Sequence, residues 1–170
     1  GDRLAARSFH RLVVLTTMDI LSHGLWGGVA FRDKIRRRSY WLAFLFGILP
    51  DLLAFAPPFL ISFFSSDSGR WVGKPDISEI PDYVFSIYDV SHSFVIFLAV
   101  FFVVRLIHGK YLWELGAWGL HILSDIPTHD ISFFPTPFLW PIAELQVNGF
   151  SWGTPWFMFL NYSLLIVVYI

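Results

Sequence analysis

The stretch Trp118-Gly-Leu-His121-Ile-Leu-Ser-Asp125-Ile-Pro127 decides how this sequence is interpreted. It has the composition of an apolar helix, and Pro127 marks the expected end of that helix. His121 and Asp125 are four residues apart, so a helix places both side chains on one face, one turn apart. Two potential metal ligands on one face of an apolar helix predict that further polar groups meet them in the fold.

The overall composition indicates an integral membrane protein. Of the 170 residues, 55% are hydrophobic and 15% are charged, whereas roughly 25% of an ordinary soluble domain is charged. A soluble protein of this length could not bury so much apolar surface, so we expect membrane lipid to cover it. We therefore predict an all-α fold, a polytopic membrane helical bundle of about five helices, which suits a chain of this length.

The remaining composition excludes several classes of function. A net charge of −1 argues against nucleic acid as a partner. Because the chain has no cysteine, disulfides and thiolate metal sites are excluded, and any metal must use His, Asp, Glu or backbone oxygen ligands. Residues 1–17 carry three arginines beside a short apolar run, and we interpret them as a tag remnant or an N-terminal extension, with a short amphipathic anchor as the alternative. Residues 18–170 then form a single transmembrane helical domain.

Apolar segments predict the helices, and the charges between them predict the orientation. Helices are expected at 18–31, 39–56, 90–107, 111–126 and 156–170, with a break at Pro50, an end at Pro57, and 59–64 as a continuation or a re-entrant piece. The basic segment 32–38 and the turn at Lys110 should be cytoplasmic, because basic loops stay inside. The loops 65–88 and 127–153 are acidic or lack basic residues, so they should face outward.

The two halves of the chain share a sequence pattern. Each half opens with a Ser-His pair and closes its second helix with an Asp. The matching segments are Ser22-His23 with Ser91-His92, and Gly47-Ile-Leu-Pro-Asp51 with His121-Ile-Leu-Ser-Asp125. The pattern predicts two pseudo-symmetric helical hairpins, related by an axis along the membrane normal and followed by a C-terminal helix. Chance similarity between membrane segments is the alternative.

Five polar side chains fall at a similar depth in this topology, in the outer half of the bilayer. They are His23, Asp51, His92, His121 and Asp125. Charged groups in hydrocarbon are unfavourable by several kcal/mol unless they are paired or ligated, so we expect a shared site inside the bundle. Three imidazoles and two carboxylates suit a divalent metal, most of all Zn²⁺, with Mn²⁺ or Fe²⁺ as alternatives. The serines that precede His23 and His92 are candidate hydrogen-bond partners of these histidines.

Each of these residues also has a simpler interpretation. A single histidine on an apolar helix is usually a hydrogen-bonded packing residue. The simpler role for Asp51 is to cap the helical segment that follows Pro50. His129 and Asp130 lie beyond Pro127. They are either outer ligands or substrate contacts, or they are solvated loop residues, and the sequence leaves both interpretations open.

Four short motifs, taken in order, resemble a known family. They are Ser22-His23, Leu49-Pro50-Asp51, Ser91-His92-Ser93 and His121-Ile-Leu-Ser-Asp125. This order is similar to that of the YdjM-like group of membrane-bound metal-dependent hydrolases of bacteria and archaea. The resemblance implies a membrane-bound, metal-dependent hydrolase of a prokaryote. Together with the charge pattern, it predicts a multi-pass protein of the cytoplasmic membrane with the site facing the outer side. The chain departs from the group at Leu53, where a second Asp is common, and at Ile87-Tyr88-Asp89, where His-Arg-Gly is common. These departures leave open whether the site holds a second metal and whether an arginine contacts a phosphate.

The first hypothesis for function is therefore a membrane-embedded metal-dependent hydrolase. His23, His92, His121 and Asp125 would be metal ligands, and Asp51 would be a further ligand or the general base that takes a proton from water. The depth of the site predicts a lipid-linked or amphiphilic ester or phosphoester as the substrate.

Two other classes of function use the same residues. Intramembrane His and Asp also form the pathways of divalent-metal or proton transporters. The third class is a structural or regulatory membrane protein in which the metal only holds the helices together.

Overall fold

The computed structural model describes residues 20–33, 35–64 and 77–170, and within them every regular element is helical. These residues form six α-helices and two short 3₁₀ turns. The helices are α1 (Ile20–Phe31), α2 (Arg37–Phe64), α3 (Asp82–Ser91), α4 (Phe94–His108), α5 (Gly116–Thr128) and α6 (Pro155–Tyr169), and the turns are Ile77–Glu79 and Trp113–Leu115. The all-α prediction is confirmed, with six helices in place of about five. The interpretation of residues 1–17 concerns a part of the chain outside the described residues.

Helix α2 is longer than the sequence predicted. It continues through Pro50, Pro57 and Pro58, where a break and an end were expected. Each proline removes one N–H from the helical ladder, but in apolar surroundings every other backbone group still needs its helical partner. The prediction of a break was wrong because the surrounding ladder outweighs the loss at single positions.

The segment before His92 was also predicted incorrectly. Residues 82–88 were expected to be loop, yet they belong to α3. The buried residues Val84, Tyr88 and Ser91 recur at helical spacing, and the polar residues Asp82, Ser86 and Asp89 recur at the same spacing on another face. The polar face made the segment resemble a loop, although the period of an amphipathic helix was present.

The long helix expected at 90–107 is interrupted at His92. Helices α3 and α4 meet at a bend of 57°. The backbone groups that the bend releases have partners: the Ser93 Oγ accepts from two N–H groups in the first turn of α4, at 3.1 and 3.2 Å. The Phe94 N–H donates to the Phe138 carbonyl at 2.9 Å, and the Trp118 indole N–H donates to the Ser91 carbonyl at 2.6 Å. The break is therefore a built feature of the fold, and it turns the His92 side chain inward.

Helices α1, α2 and α5 meet along a seam of small residues. A Cβ at Gly47 of α2 would lie 2.6 Å from the backbone carbonyl oxygen of His23 in α1. A Cβ at Gly27 would lie 2.8 Å from the Cβ of Ala117 in α5 and 3.0 Å from the Ala43 carbonyl oxygen. Small residues let helix backbones approach this closely, as is common between helices in membranes.

Two apolar clusters support this seam. One joins the second half of α2 to α3 and to the loop after α5, and the other joins α4 to α5. Their buried members are Ala54, Ile80, Val84, Tyr88 and Phe134 in the first, and Phe97, Leu115, Trp118 and Ile122 in the second. Helix α6 is held to α1 by a hydrogen bond of 2.7 Å from the Trp26 indole to the Asn161 side chain.

The helices differ in their capacity to cross a membrane. The segment Arg37–Ile61 is long and apolar enough to span a bilayer, and α3 with α4 passes the same criterion as one bent span. Helices α1 and α6 are apolar but shorter. One or two such helices are compatible with membrane association.

Replacement of Gly47 by alanine tests the seam. Alanine favours a helix over glycine by roughly 0.5–1 kcal/mol, but a Cβ 2.6 Å from the His23 carbonyl oxygen forces α1 away from α2. We expect Gly47→Ala to lower the free energy of unfolding by roughly 1–3 kcal/mol, as overpacking does. Gly153→Ala is the matched control, because its Cβ would meet only the Ser151 Oγ at 3.8 Å. Equal midpoints of thermal unfolding for the two variants would contradict the claim that close packing at Gly47 excludes a Cβ.

Candidate metal centre

The five polar residues singled out in the sequence lie together in the structure. His23 comes from α1, Asp51 from α2, His92 from the break between α3 and α4, and His121 and Asp125 from α5. Their exposed fractions are 8% for His23, 7% for Asp51, 0% for His92 and 1% for His121 and Asp125. We call these five residues the His/Asp cluster. Burial of so many polar groups requires that they satisfy one another or a bound ion.

Asp125 is the carboxylate closest to the imidazoles. Its Oδ1 lies 3.1 Å from the His23 Nε2, and its Oδ2 lies 3.1 Å from the His121 Nε2. The same Oδ2 lies 3.5 Å from the His92 Nε2. One carboxylate thus faces the Nε2 atoms of all three histidines.

Asp51 lies on another side of the same imidazoles. Its Oδ1 is 3.5 Å from the His92 Nε2 and 3.8 Å from the His121 Nε2. These two Nε2 atoms are only 3.1 Å apart. Potential ligand atoms of two overlapping groups, each containing His121, lie within 4.8 Å of one another: His23 with Asp51 and His121, and His92 with His121 and Asp125. Because both groups share His121, we describe one centre rather than two.

The outer ring nitrogens of His121 and His92 are held by backbone carbonyls. The His121 Nδ1 lies 2.7 Å from the Gly47 carbonyl oxygen, which can only accept a hydrogen bond. The His92 Nδ1 lies 3.2 Å from the Tyr88 carbonyl oxygen and 2.9 Å from the Ser91 Oγ, and the Tyr88 ring stacks on the imidazole at 3.8 Å. The His121 Nδ1 therefore donates to the Gly47 carbonyl, which in a neutral ring leaves the Nε2 as an acceptor. The His92 Nδ1 has a carbonyl and a hydroxyl within reach, and the Nε2 atoms of both rings face the cluster.

His23 is oriented by a serine on α5. Its Nδ1 lies 3.2 Å from the Ser124 Oγ. That hydroxyl has one proton, and it lies 2.8 Å from the His121 carbonyl oxygen and 3.1 Å from the Leu120 carbonyl oxygen, to which it donates. The Ser124 hydroxyl therefore holds the outer nitrogen of His23, and the Nε2 of this third histidine faces the cluster.

Three imidazole Nε2 atoms and two carboxylates converge in the interior of the cluster, and the Asp125 Oδ1 makes no hydrogen bond although the His23 Nε2 is 3.1 Å away. Buried carboxylates are strongly unfavourable unless protonated imidazoles or a metal cation lie among them. Imidazoles that donate outward from Nδ1 and present Nε2 inward are the usual arrangement around a metal. The residues present therefore fit a metal ion.

The contacts cross between the two halves of the chain. His23 of the first half faces Asp125 of the second, and His92 of the second faces Asp51 of the first. The matching segments differ at two positions, because His121 and Ser124 of the second half correspond to Gly47 and Pro50 of the first. They also differ in the backbone, since the described part of α1 continues through His23 whereas the chain breaks at His92.

The residues beyond Pro127 have different environments. The His129 Nδ1 lies 3.8 Å from the Asp125 Oδ1 and 3.3 Å from the Asp125 carbonyl oxygen, so His129 borders the cluster at the end of α5. Asp130 accepts from the Ser132 N–H at 2.8 Å within the following loop. The structure therefore brings His129 to the site and assigns Asp130 a turn contact.

The supporting groups were only partly predicted. Ser91 was named as a partner of His92, and the two side chains are hydrogen-bonded. Ser124 was missed, although its place on α5 between His121 and Asp125 was a usable signal. The Gly47 and Tyr88 carbonyls were missed because no side-chain type marks a backbone acceptor.

Comparison with protein-family models, curated proteins and solved structures finds no match to this chain. The resemblance to the YdjM-like group therefore rests on the four sequence motifs. The geometry of the His/Asp cluster is independent of that resemblance.

Metal analysis tests the cluster directly. We expect the purified protein to bind about one divalent ion per chain, since single-metal sites commonly use three to five such ligands. His121→Ala removes the imidazole shared by both ligand groups and should abolish tight binding. His108→Ala is the matched control, because His108 is exposed at the end of α4. Elemental analysis that finds no metal in the wild type, or equal metal in both variants, would refute the assignment.

Proposed function

We propose that this chain is a polytopic membrane protein with a divalent metal in the His/Asp cluster, and that it hydrolyses an amphiphilic or lipid-linked ester or phosphoester. The observation that carries the proposal is the convergence of three imidazole Nε2 atoms and two carboxylates in a buried interior. Zn²⁺ is the first choice because it prefers nitrogen and oxygen ligands in compact sites, and Mn²⁺ or Fe²⁺ would suit the same ligands.

The apolar surface supports the membrane location. Large apolar side chains far from the seam are largely exposed, among them Phe64 at 82%, Phe159 at 78% and Val167 at 72%. Soluble monomers rarely present contiguous apolar surface of this kind. Close packing through Gly27 and Gly47 is a second, independent feature in favour of helices that associate in lipid.

Charge supports an orientation for the proposed bundle. The ends of α1 and α4 and the starts of α2 and α5 lie near basic residues, including Arg36 and Lys110. The loop 129–154, beyond the cluster end of α5, contains no Lys or Arg. By the positive-inside rule the basic end is cytoplasmic, and the cluster lies toward the outer side. In a prokaryote this membrane is the cytoplasmic membrane.

The two carboxylates are suited to different roles. Asp125 is 1% exposed and lies within 3.1 Å of two imidazoles, as expected of a firmly held ligand. Asp51 is 7% exposed and lies 3.5 and 3.8 Å from the nearest imidazole nitrogens. In our proposal Asp51 therefore takes the proton of the attacking water as general base, while Asp125 and the three histidines hold the metal.

The chemistry follows from these positions. When bound, a divalent metal supplies Lewis acidity, which polarises the scissile group and acidifies a water molecule. His23 and Asp51 are the least buried members of the cluster, so we place the entry of water and substrate on the side of these two residues. The proposed site lies below the lipid headgroups. A substrate that enters from the bilayer therefore needs an apolar part that carries its polar reacting group to this depth, so it must be amphiphilic.

The alternatives differ in what the structure offers them. Near-complete burial of His92, His121 and Asp125 favours a metal that only holds the helices together. A transport pathway would need polar groups below the cluster, toward the basic end. The seam there is closed by Gly27, Ala43 and Ala117, so transport is the least supported of the three functions.

Asp51→Asn separates catalysis from structure. We expect the variant to keep its metal and to lose hydrolysis by about a hundredfold or more, as removal of a general base does. The substrates are long-chain acyl p-nitrophenyl esters and p-nitrophenyl phosphodiesters in detergent micelles, with Zn²⁺ supplied. His121→Ala should lose both metal and activity. Asp82→Asn, an exposed position in the first turn of α3, is the matched control.

Three outcomes would overturn this function. If the wild-type protein binds its full metal complement and hydrolyses neither class of substrate, the metal has a structural role only. Activity that survives Asp51→Asn would remove Asp51 as the base. Metal uptake into proteoliposomes that His121→Ala abolishes would establish transport.

A further inference from the structure

A second site lies at the basic end of the molecule, remote from the His/Asp cluster. A cleft of about 610 Å³ separates the connection between α1 and α2 from the turn that precedes α5. Its lining includes Arg32, Arg36 and Lys110, and the carboxylates Asp33 and Glu114. The volume is in the range of small-molecule sites and is large for a simple inorganic ion.

The two carboxylates of the cleft are engaged with neighbours. The Asp33 Oδ1 accepts from the Ile35 N–H at 2.8 Å, and its Oδ2 lies 3.4 Å from the Arg36 Nε. The Glu114 Oε1 accepts from the Ser39 hydroxyl at 2.5 Å. The contact of Ser39 with Glu114 joins the two walls of the cleft, because Ser39 lies in the first turn of α2 and Glu114 lies just before α5.

Two cations of the cleft are left without an acidic partner. In the ranges that the structure describes, no carboxylate lies within ion-pairing distance of Arg32 or Lys110. Arg37 and Arg38 are exposed beside the cleft and add to its positive field. A concave site with unpaired cations attracts an anion, and arginine is well matched to phosphate oxygens.

The apolar part of the cleft indicates what carries the anion. Phe31 and Leu112 contribute to the lining, and Tyr111 and Trp113 are also lining residues that stay 45% and 61% exposed. Aromatic side chains at a charged rim are typical of the interface between bilayer and water. The lining therefore suits a ligand with a phosphate group and an apolar part.

We propose that this cleft binds the headgroup of an anionic phospholipid in the leaflet on the basic side of the membrane. Basic pockets between helices on the cytoplasmic side are suited to such headgroups. Arg32 and Lys110 contact the phosphate, Arg36 stays paired with Asp33, and Trp113 packs against the glycerol and acyl carbons. The site is separate from the proposed reaction and depends only on the membrane location.

Native mass spectrometry of the full chain in detergent tests this site with defined lipids. We expect the wild type to retain phosphatidylglycerol in preference to phosphatidylcholine. The variant Arg32→Gln/Lys110→Gln should bind phosphatidylglycerol about tenfold more weakly, given the contribution of each cation near a phosphate. The matched control Arg37→Gln/Arg38→Gln removes the same charge outside the cleft and should stay within about twofold of wild type, as rim charges do.

Other results would overturn the proposal. Equal losses in the two double variants would show attraction by bulk charge, and equal retention of both lipids would show no headgroup site. If inorganic phosphate, at the same concentration as phosphatidylglycerol, displaces the lipid from the protein, the cleft is a site for free phosphate instead. The variant His121→Ala is measured in the same assay. We expect it to lose the metal and to keep its selectivity for phosphatidylglycerol, so the metal proposal and the lipid proposal can fail separately.

Discussion

The hydrogen bond from the His121 Nδ1 to the Gly47 carbonyl is the contact on which the structure most depends. It needs a residue without a Cβ at position 47, because α1 passes so close that a Cβ would meet the His23 carbonyl oxygen at 2.6 Å. The same approach brings the His23 side chain to Asp125. The glycine at position 47 therefore permits the close approach of α1 to α2, and with it the position of His23 beside Asp125.

The break between α3 and α4 at His92 also positions a histidine of the cluster, here through the backbone and not through a glycine contact. A continuous helix from α3 to α4 would carry its residues past the cluster in regular steps, whereas the bend of 57° lets His92 enter the interior. Interrupted backbone is strongly unfavourable in an apolar setting unless its polar groups find partners. Ser93, Trp118 and the Phe138 carbonyl provide those partners, so the loop after α5 and the helix α5 itself both stabilise the histidine.

The sequence was sufficient to identify the cluster, and insufficient to describe how its members are held. His and Asp are rare in apolar segments, so the five residues were easily recognised. The charges of the loops oriented the helices, and this orientation placed the five side chains at a similar depth. The extent of α2 and the existence of α3 could not be predicted reliably, because tertiary contacts override the local effect of Pro50 and of the polar face near Asp82. Backbone acceptors such as the Gly47 carbonyl have no sequence signature, since every residue carries one.

The correspondence of Gly47 with His121 explains why the centre is asymmetric. A symmetric protein with two pseudo-equivalent halves would place a fourth imidazole at position 47. The Cβ of that residue would lie 2.6 Å from the His23 carbonyl oxygen, so α1 would have to move away and the contact of His23 with Asp125 would be lost. A fourth histidine in the first half would thus exclude the one already there. The close packing of α1 and α2 at Gly47 therefore leaves no room for an imidazole at position 47 beside the three imidazoles and two carboxylates of the cluster.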